Sequence, residues 1–412
     1  MSSSHTPPGH NPGPAGQPVP LLDVSRQYTK LKAELATAIT RVCDSGRFVL
    51  GPECEELEAR LAEYCHTKFA VACASGSDAL LLALMAYDIT AGDEVLLPSY
   101  TFFATASAVW RLGAKPVFVD IDPATYNIDP RELERKITGS TKAIIPVHLY
   151  GQCADMGAIN DIARRHKLPV IEDAAQAIGA EIAGRRAGSL SAIGCLSFYP
   201  TKNLGGFGDG GMLTTSDAQL AEKLRLLRAH GMQPRYYHQV VGINSRLDTI
   251  QAAVLCVKLT HLERWTGQRA VNAERYAELF AAHGLDRVLG LPSAAAGRRH
   301  VWNQYIVRVP EGRRDALREH LAQAKIGTEI YYPVPLHLQS CFMPLGYGPG
   351  SLPESERAAR ETLALPIFPE LTAAEQQTVV RQIAAFFGAR VGGPAAPKFM
   401  NRTTSRSTGV AG

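Results

Sequence analysis

The chain changes from helices to alternating strands and helices at Lys68-Phe-Ala-Val-Ala-Cys-Ala-Ser-Gly-Ser-Asp-Ala-Leu-Leu-Leu-Ala-Leu-Met-Ala-Tyr87. Its first part, Phe69–Cys73, is an apolar run typical of a buried strand, and Ser77–Tyr87 has the pattern of a helix. Short apolar strands that alternate with helices predict a mostly parallel α/β sheet with helices on both faces. The further predicted strands are Glu94–Leu97, Pro116–Val119, Ala143–Val147, Val170–Asp173, Cys195–Phe198 and Met212–Thr215.

Two folded units with an extension at each end account for the 412 residues. Residues 1–18 are rich in Pro and Gly and predict a flexible arm, and the Gly- and Ser-rich residues 391–412 predict a flexible tail. We assign residues 19–260 to a large α/β domain and residues 261–390 to a small C-terminal α+β domain. The boundary is set by a change of pattern near Leu259, after which long helical segments appear.

Helices are also predicted before and after the α/β region. A first helix has an apolar face from Tyr28 to Val42, and a second begins near Pro52, because proline suits a first helical turn. The last helix opens with Thr372-x-x-Glu375, the pattern of a capping box. The other predicted elements are helices over Ala104–Leu112, Asp155–Lys167, Glu263–His283 and Arg313–Ala324, and a strand over Tyr305–Val309.

The composition is that of a protein with a large core and no strong charge. Hydrophobic residues make up 46% of the sequence and the formal net charge is +4, which gives no reason to expect nucleic-acid or membrane binding. The N-terminus lacks the apolar segment of a secretory signal, and no apolar run reaches membrane-spanning length. None of the eight cysteines forms a Cys-x-x-Cys pair, so we interpret them as core residues in a reducing compartment. We therefore expect a cytoplasmic protein.

The turn Ala74–Asp78 lies between a predicted strand and a predicted helix. Backbone N–H groups at a helix N-terminus are free, and together with the helix dipole they make a phosphate site. Gly76 would let the anion come close to the backbone. An ordinary turn with a helix N-cap fits the same residues equally well.

Glu172 and Asp173 lie at the C-terminal end of a predicted strand, where ligands bind in open α/β sheets. An aspartate in this place can bind a metal, a ribose or a cationic ring nitrogen, or it can cap the next helix. Gln176 follows one helical turn later and could contact the same ligand. We find no metal-binding spacing of His, Cys, Asp and Glu in the sequence, and we interpret His148 as a hydrogen-bonded core residue.

Lys202 belongs to a third candidate site, Ser197–Gly211, where it lies between an apolar strand and a run of glycines. Such a lysine can be a solvated cation, can hold a phosphate or can form a Schiff base with a carbonyl cofactor. Gly206–Gly211 fits G-x-G-x-x-G, but a strand follows it, whereas the dinucleotide fingerprint requires a helix there. A P-loop also fails, because its lysine follows the glycines and Lys202 precedes Gly205.

One cofactor accounts for all three candidate sites. Pyridoxal 5′-phosphate needs a cradle for its phosphate, an acid for its ring nitrogen and a lysine for a Schiff base. The order of these sites along the chain, first the phosphate turn, then the aspartate and then the lysine, suits a large α/β domain followed by a smaller one.

In these motifs the sequence resembles the DegT/DnrJ/EryC1/StrS sugar aminotransferases, and the resemblance extends over residues 21–387. It implies fold type I, the aspartate aminotransferase-like fold, with a mostly parallel, mixed seven-stranded sheet covered by helices and a smaller C-terminal α+β domain. The motifs that carry the resemblance are Ala74–Leu80, Pro98–Ala104, Glu172–Gln176, Ser197–Asn203, Gly242–Asp248 and Tyr332–His337.

The resemblance also implies roles for individual residues. Lys202 would be the Schiff-base lysine and would carry the proton between substrate and cofactor, and Asp173 would pair with the pyridine nitrogen. Asn244 would reach the phosphate in the neighbouring subunit, which implies a homodimer with shared active sites. Tyr332 and His337 lie where the family contacts its substrate. The other implied cofactor contacts are Gly76, Ser77 and Ser197 to the phosphate, Phe102 to the ring face and Gln176 to the ring hydroxyl.

The implied reaction moves an amino group from an amino acid, expected to be glutamate, to a keto group of a nucleotide-linked sugar, for amino-sugar or polysaccharide synthesis. A 3-keto-6-deoxyhexose or a 3-keto-hexuronate is favoured, because Val241–Asp248 resembles that branch. The sequence departs from the family at Ser77, where many members have Thr and the hydroxyl is kept. It also departs at Ile243, where Tyr or Phe is common, which would change a wall of the substrate pocket.

Three other functions compete with this one. The sugar 3-dehydratases of the family share the cofactor but have His at the position of Lys202. A regulator that binds the cofactor without catalysis would not need the complete catalytic set, and the sequence shows no DNA-binding segment. A nicotinamide-dependent dehydrogenase is disfavoured by the strand that follows the glycines.

Overall fold

The computed structural model describes residues 17–388. The predicted tail lies outside these residues, as does the predicted arm except for Gln17 and Pro18. The limits of the two domains, residues 19–260 and 261–390, stay a prediction. Within the described residues, no helix combines the length and the apolar character that a membrane span requires.

The central sheet has seven strands and confirms the predicted mixed sheet. Its strand order is β1-β9-β8-β5-β4-β2-β3, in which β9 runs antiparallel to both of its neighbours. Parallel bridges from Ile144 to Val170 and from Val147 to Asp173 join β4 to β5. The strands of residues 17–388, including three two-residue strands and the small sheet β11–β12, are β1 (Phe69–Cys73), β2 (Glu94–Pro98), β3 (Lys115–Val119), β4 (Thr141–Ile144), β5 (Ile171–Asp173), β6 (Glu181–Ile182), β7 (Arg185–Arg186), β8 (Ile193–Ser197), β9 (Gly211–Thr215), β10 (Arg298–Arg299), β11 (Tyr305–Arg308) and β12 (Thr362–Leu365).

Helices cover both faces of this sheet, which is why most residues of its strands are buried. In β2, Leu96 belongs to one hydrophobic cluster, whereas Val95 and Leu97 belong to the cluster on the opposite face. The helices are α1 (Val24–Ser45), α2 (Pro52–Tyr64), α3 (Gly76–Ala86), α4 (Ala104–Arg111), α5 (Pro130–Leu133), α6 (Met156–His166), α7 (Ala218–Leu227), α8 (Thr249–Leu259), α9 (Leu262–Ala282), α10 (Arg314–Gln323), α11 (Pro353–Glu361) and α12 (Ala373–Phe387).

A third hydrophobic cluster forms the core of the C-terminal part and includes a residue from the start of the chain. Val19 donates its backbone N–H to the carbonyl of Lys325 at 3.0 Å and accepts the N–H of Gly327 at 2.8 Å. Arg26 at the start of α1 pairs with Glu375 of α12 at 2.7 Å. The two ends of the described chain therefore pack together.

Most cysteines are core residues, as the sequence predicts, but two are not. Cys43 and Cys341 are exposed, whereas the other six are buried. Cys43 lies in the last turn of α1, on the side that faces away from the buried residues of that helix. The prediction that all eight lie in the core is therefore wrong for these two.

Candidate active site

The three candidate sites meet at one edge of the central sheet. Because β1, β5 and β8 run in the same direction, their carboxyl ends lie at the same edge. Gly211 pairs with Cys73 on one side and with Ser197 on the other. The turn after β1, the acid that ends β5 and the lysine loop after β8 are thereby brought together.

The turn before α3 and the end of β8 are in direct contact. A Cβ atom on Gly76 would lie 2.6 Å from the Cβ of Ser197, so only glycine fits at this position. Ser75 caps α3 by accepting the N–H of Asp78 at 3.1 Å, which leaves the first N–H groups of the helix for a ligand. The structure thus brings together Gly76, Ser77 and Ser197, the residues predicted to bind phosphate.

Ser245 fixes this turn from the opposite side. Its hydroxyl accepts the N–H of Ala74 at 3.1 Å and donates to the carboxylate of Asp78 at 2.8 Å. Asn244, the preceding residue, is exposed and lines a cavity of about 460 Å³ together with Ala74 and Arg246. The predicted contact of Asn244 with the phosphate in a partner subunit stays a prediction.

Glu172 and Asp173 point to opposite faces of the sheet and have different tasks. Glu172 accepts the N–H groups of Gly188 and Ser191, both at 2.7 Å, and contacts Nε2 of His148 at 3.0 Å. Nδ1 of His148 accepts the N–H of Ala154 at 3.1 Å, so the ring carries its proton on Nε2 and donates it to Glu172. The interpretation of His148 as a hydrogen-bonded core residue is confirmed.

Asp173 is the acid that faces the candidate site. Its carboxylate accepts the hydroxyl of Thr105 at 2.8 Å and the N–H of Ala175 at 3.2 Å. Burial raises the pKa of Asp173, while these two hydrogen bonds and the charge of Lys202 act in the opposite direction. The carboxylate is therefore oriented by protein donors and can still accept a bond from a cationic ring nitrogen.

Lys202 lies in the loop between β8 and β9, where burial of its amine lowers its pKa to about 8. The nearby carboxylate of Asp173 opposes this shift, because it favours the charged amine. The backbone of the loop is held by a bond from the N–H of Lys202 to the carbonyl of Tyr199 at 2.8 Å. A lysine that loses its proton this readily is suited to attack a carbonyl group.

Gln176, Tyr332 and Phe102 gather beside Asp173. The side-chain amide of Gln176 donates to the hydroxyl of Tyr332 at 3.1 Å, and the ring of Tyr332 lies 6.0 Å from that of Phe102. Phe102 is 55% exposed, so its ring is free to stack on a ligand. The predicted contacts of these three residues with cofactor and substrate stay predictions, but the structure places the residues together.

His337 differs from Tyr332, the other predicted substrate residue, because its ring is fully buried. Its backbone N–H donates to the hydroxyl of Ser99. Nε2 lies 3.2 Å from the carboxylate of Glu356 and donates to it, so Nδ1 of the neutral ring accepts the hydroxyl of Ser99 at 2.6 Å. Both ring nitrogens are thus engaged within the protein. A direct contact of His337 with substrate, which stays a prediction, would require these bonds to be exchanged.

Two residues that the sequence analysis did not select contribute to the site. Thr105 donates its hydroxyl to the carboxylate of Asp173 and so orients it. Lys258 donates its amine to the carbonyl of Gly205 at 2.5 Å and so supports the loop that carries Lys202. Thr105 follows directly after the motif Pro98–Ala104, which was the only available signal for it. Lys258 has no sequence signal, because a lysine in a helix is usually a solvated residue.

These residues fit pyridoxal phosphate. The glycine at position 76 leaves space against Ser197 that a side chain would fill, and this cradle adjoins the free end of a helix. An amine with a pKa of about 8 and a buried carboxylate complete the set that the cofactor needs. Together with the mixed seven-stranded sheet, this site defines a pyridoxal phosphate-dependent transferase of fold type I.

Comparison with known proteins identifies the family. The profile of the DegT/DnrJ/EryC1/StrS aminotransferase family matches residues 29–384, and the chain belongs to this family. A pleiotropic regulatory protein of Geobacillus stearothermophilus is 53% identical over 90% of this chain and 98% of its own length. The dTDP-3-amino-3,4,6-trideoxy-α-D-glucose transaminase of Streptomyces venezuelae is 48% identical over 86% of this chain and 92% of its own length.

A solved structure agrees with this assignment. The crystal structure of DesV from S. venezuelae in complex with a ketimine intermediate has a TM-score of 0.87 to this structure. The two are 46% identical over 90% of this chain and 99% of that chain. The protein is accordingly a transaminase that depends on pyridoxal phosphate.

Proposed function

We propose that the protein transfers an amino group from L-glutamate to the 3-keto group of a nucleotide-linked sugar. The observation that carries the proposal is the amine of Lys202, with its pKa of about 8, beside the buried carboxylate of Asp173. The name of the S. venezuelae relative, a 3-amino-sugar transaminase, supports the choice of a sugar aminated at C3. Other nucleotide carriers and amination at C4 are outcomes that the experiment below distinguishes.

Each residue of the site has a task that follows from its position. When bound, pyridoxal phosphate supplies a carbonyl group for the amine and a ring that withdraws electrons from the substrate carbon. Asp173 would keep the ring nitrogen protonated, and Gly76 and Ser197 would anchor the phosphate. Lys202, as a neutral amine, would take the proton from the donor carbon and return one to the sugar carbon.

We also propose that two copies of the chain share their active sites. Asn244 is exposed and lines the cavity beside Ala74, where it is accessible to a second subunit. The cytoplasmic location expected from the cysteine usage stays a prediction.

The regulator hypothesis remains the second candidate, because the relative from G. stearothermophilus is named a regulatory protein. A sensor needs to bind the cofactor but does not need to turn over substrate. The two functions differ in one measurement, since a regulator bound to the cofactor would not consume glutamate in the presence of any keto sugar.

The test is a panel of nucleotide-linked keto sugars with glutamate as the amine donor. We expect the purified protein to be yellow, to lose this colour with glutamate and to regain it with a 3-keto sugar. Lys202→Ala should abolish turnover and keep the fold, while Lys223→Ala, which changes a surface lysine paired with Asp88, should leave turnover unchanged. A protein that stays colourless with added cofactor, or activity that survives in Lys202→Ala, would contradict the proposal.

A further inference from the structure

We propose that Tyr100 and Tyr150 are positioning residues that hold Tyr332 in place for contact with the nucleotide-linked sugar. The inference rests on the proposed function, because Tyr332 is the residue that function assigns to the substrate. Tyr100 lies two residues after β2, and Tyr150 lies two residues after His148 in the segment that follows β4. Both belong to the large α/β part of the chain, whereas Tyr332 belongs to the C-terminal part.

Tyr150 is linked to residues 331 and 332 in two ways, once through Gln176 and once directly. Its backbone N–H donates to Oε1 of Gln176 at 2.7 Å, and Nε2 of the same amide donates to the hydroxyl of Tyr332 at 3.1 Å. The hydroxyl of Tyr150 donates to the carbonyl of Tyr331. Gln176, Tyr332, Tyr331 and Tyr150 thus form a closed circuit of hydrogen bonds, in which the position of the Tyr332 ring is fixed at both its backbone and its hydroxyl.

Tyr100 reinforces the same segment from the neighbouring strand. Its side chain is fully buried, and its hydroxyl accepts the N–H of Tyr332 at 2.9 Å and lies 2.6 Å from the carbonyl of Tyr331. The preceding residue, Ser99, accepts the N–H of Leu336 at its carbonyl at 2.7 Å. Two consecutive residues of the large part therefore hold the segment 331–336 at its beginning and at its end.

The circuit also determines which atom of Tyr332 is left for a ligand. Because Oε1 of Gln176 accepts a backbone N–H, the amide must present its donor nitrogen to Tyr332. The hydroxyl of Tyr332 is then an acceptor towards Gln176 and keeps its own proton. Over residues 17–388 no further hydrogen bond of this hydroxyl occurs, so its proton is available to an acceptor oxygen of a bound sugar.

Two other observations support a functional purpose of this circuit. Tyr150 has a φ of +60°, a left-handed backbone conformation that is unfavourable for a bulky residue and that tends to occur at functional sites. Burial raises the pKa of both Tyr150 and Tyr332 well above the ordinary value. Both hydroxyls consequently stay protonated, and Tyr332 remains a donor throughout the physiological pH range.

The experiment compares Tyr100→Phe, Tyr150→Phe and the control Tyr305→Phe in the loaded enzyme. Tyr305 is also buried, but its hydroxyl has no hydrogen-bond partner within the described chain. With the keto sugar that the wild type accepts, we expect KM to rise about three- to tenfold in the first two variants, with kcat changed less than about twofold. The control should keep the KM of the wild type.

Hydrogen exchange gives a readout that does not depend on turnover. The N–H of Tyr332 is protected by the hydroxyl of Tyr100, so in Tyr100→Phe a peptide over residues 329–337 should exchange faster than in the wild type. The same peptide in Tyr305→Phe should exchange at the wild-type rate.

A double variant separates positioning from a general loss of stability. If Tyr150 acts through Tyr332, Tyr150→Phe should raise KM in the wild type but add nothing in the Tyr332→Phe background. Additive effects, or a wild-type KM and wild-type exchange in the active single variants, would overturn the positioning role alone. A wild type that is inactive with every keto sugar would instead overturn the proposed function, and with it the substrate role of Tyr332.

Discussion

At the scale of single residues, Lys202 and Asp173 show how burial prepares a reactive pair. Burial disfavours the charged form of each group, so it lowers the pKa of the amine and raises the pKa of the carboxyl. Their mutual attraction opposes both shifts. The donors Thr105 and Ala175 also stabilise the carboxylate and so oppose the effect of burial on the pKa of Asp173.

The first prediction concerns the protonation of Lys202. Its pKa of about 8, compared with an ordinary 10.5, means that the amine is protonated below pH 8 and neutral above it. The rate at which cofactor-free protein forms the yellow complex with pyridoxal phosphate should therefore rise with pH and be half-maximal near pH 8. Asp173→Asn removes the charge that favours the protonated amine, so it should move this midpoint to lower pH. Stopped-flow absorbance measures the rate, and a midpoint near 10.5 would refute the assigned pKa.

The second prediction concerns Thr105. Thr105→Val keeps the shape of the side chain but removes the donor to the buried carboxylate of Asp173. Because a hydrogen bond to a charged group is worth about 1.5–3 kcal/mol, we expect affinity for pyridoxal phosphate to fall about tenfold or more. Absorbance titration of the cofactor-free protein measures this affinity. Thr105→Ser, which keeps the hydroxyl, is the matched control, and equal affinities for Val and Ser would show that the bond is unimportant.

At the scale of elements, strands were the easiest to predict because buried strands are short apolar runs between polar turns. Predicted and observed limits of β1 coincide, and those of β9 differ by one residue. The sequence analysis did not identify α5, α7, α8 and α11. The first is only four residues long, α8 is buried on most of its surface and so lacks a one-sided apolar face, α11 has few apolar residues, and α7 follows β9 without a strong break. The strands β6, β7 and β10 are each two residues long and have no periodicity to detect.

The functional residues also divide into those that the local sequence predicts and those that it does not. Asp173 and Gly76 lie at the ends of regular elements and Lys202 lies in the loop after β8, where local sequence and motif order predict a site. Thr105 and Tyr150 act through contacts with residues 68 and 181 positions away. Such contacts depend on tertiary packing, and no local pattern encodes them.

The third prediction concerns the start of α12. Thr372 and Glu375 form the predicted capping box, in which Thr372 Oγ1 accepts the N–H of Glu375 and the Glu375 carboxylate accepts the N–H of Thr372. Thr372→Ala should lower the free energy of unfolding by about 1 kcal/mol. Thr378→Ala, in the interior of the same helix, should change it by less than about 0.5 kcal/mol. Urea denaturation measures the free energy of unfolding of both variants. A loss in Thr372→Ala that is no larger than the loss in Thr378→Ala would contradict a stabilising role of the cap.

At the scale of the whole molecule, the proposed dimer can be tested by mixing inactive chains. Lys202→Ala removes the lysine of a site, and Asn244→Ala removes the residue proposed to reach across from the other subunit. In a hybrid dimer one site would combine an intact Lys202 with an intact Asn244. Denaturing and refolding an equal mixture should therefore restore about one quarter of the wild-type activity. No recovery, despite hybrids seen by native mass spectrometry, would show that Asn244 serves its own subunit.

The contact between the two ends of the described chain bears on how the protein matures at the ribosome. Val19 bonds to Lys325 and Gly327, and it joins a core built from residues that are synthesised about 300 positions later. At roughly 5–20 residues per second, the nascent N-terminal segment would wait for about 15–60 seconds before its partners emerge. During that time its apolar side chains are accessible to chaperones and proteases. Completion of the C-terminal part is therefore the event that closes the fold and ends this vulnerable interval.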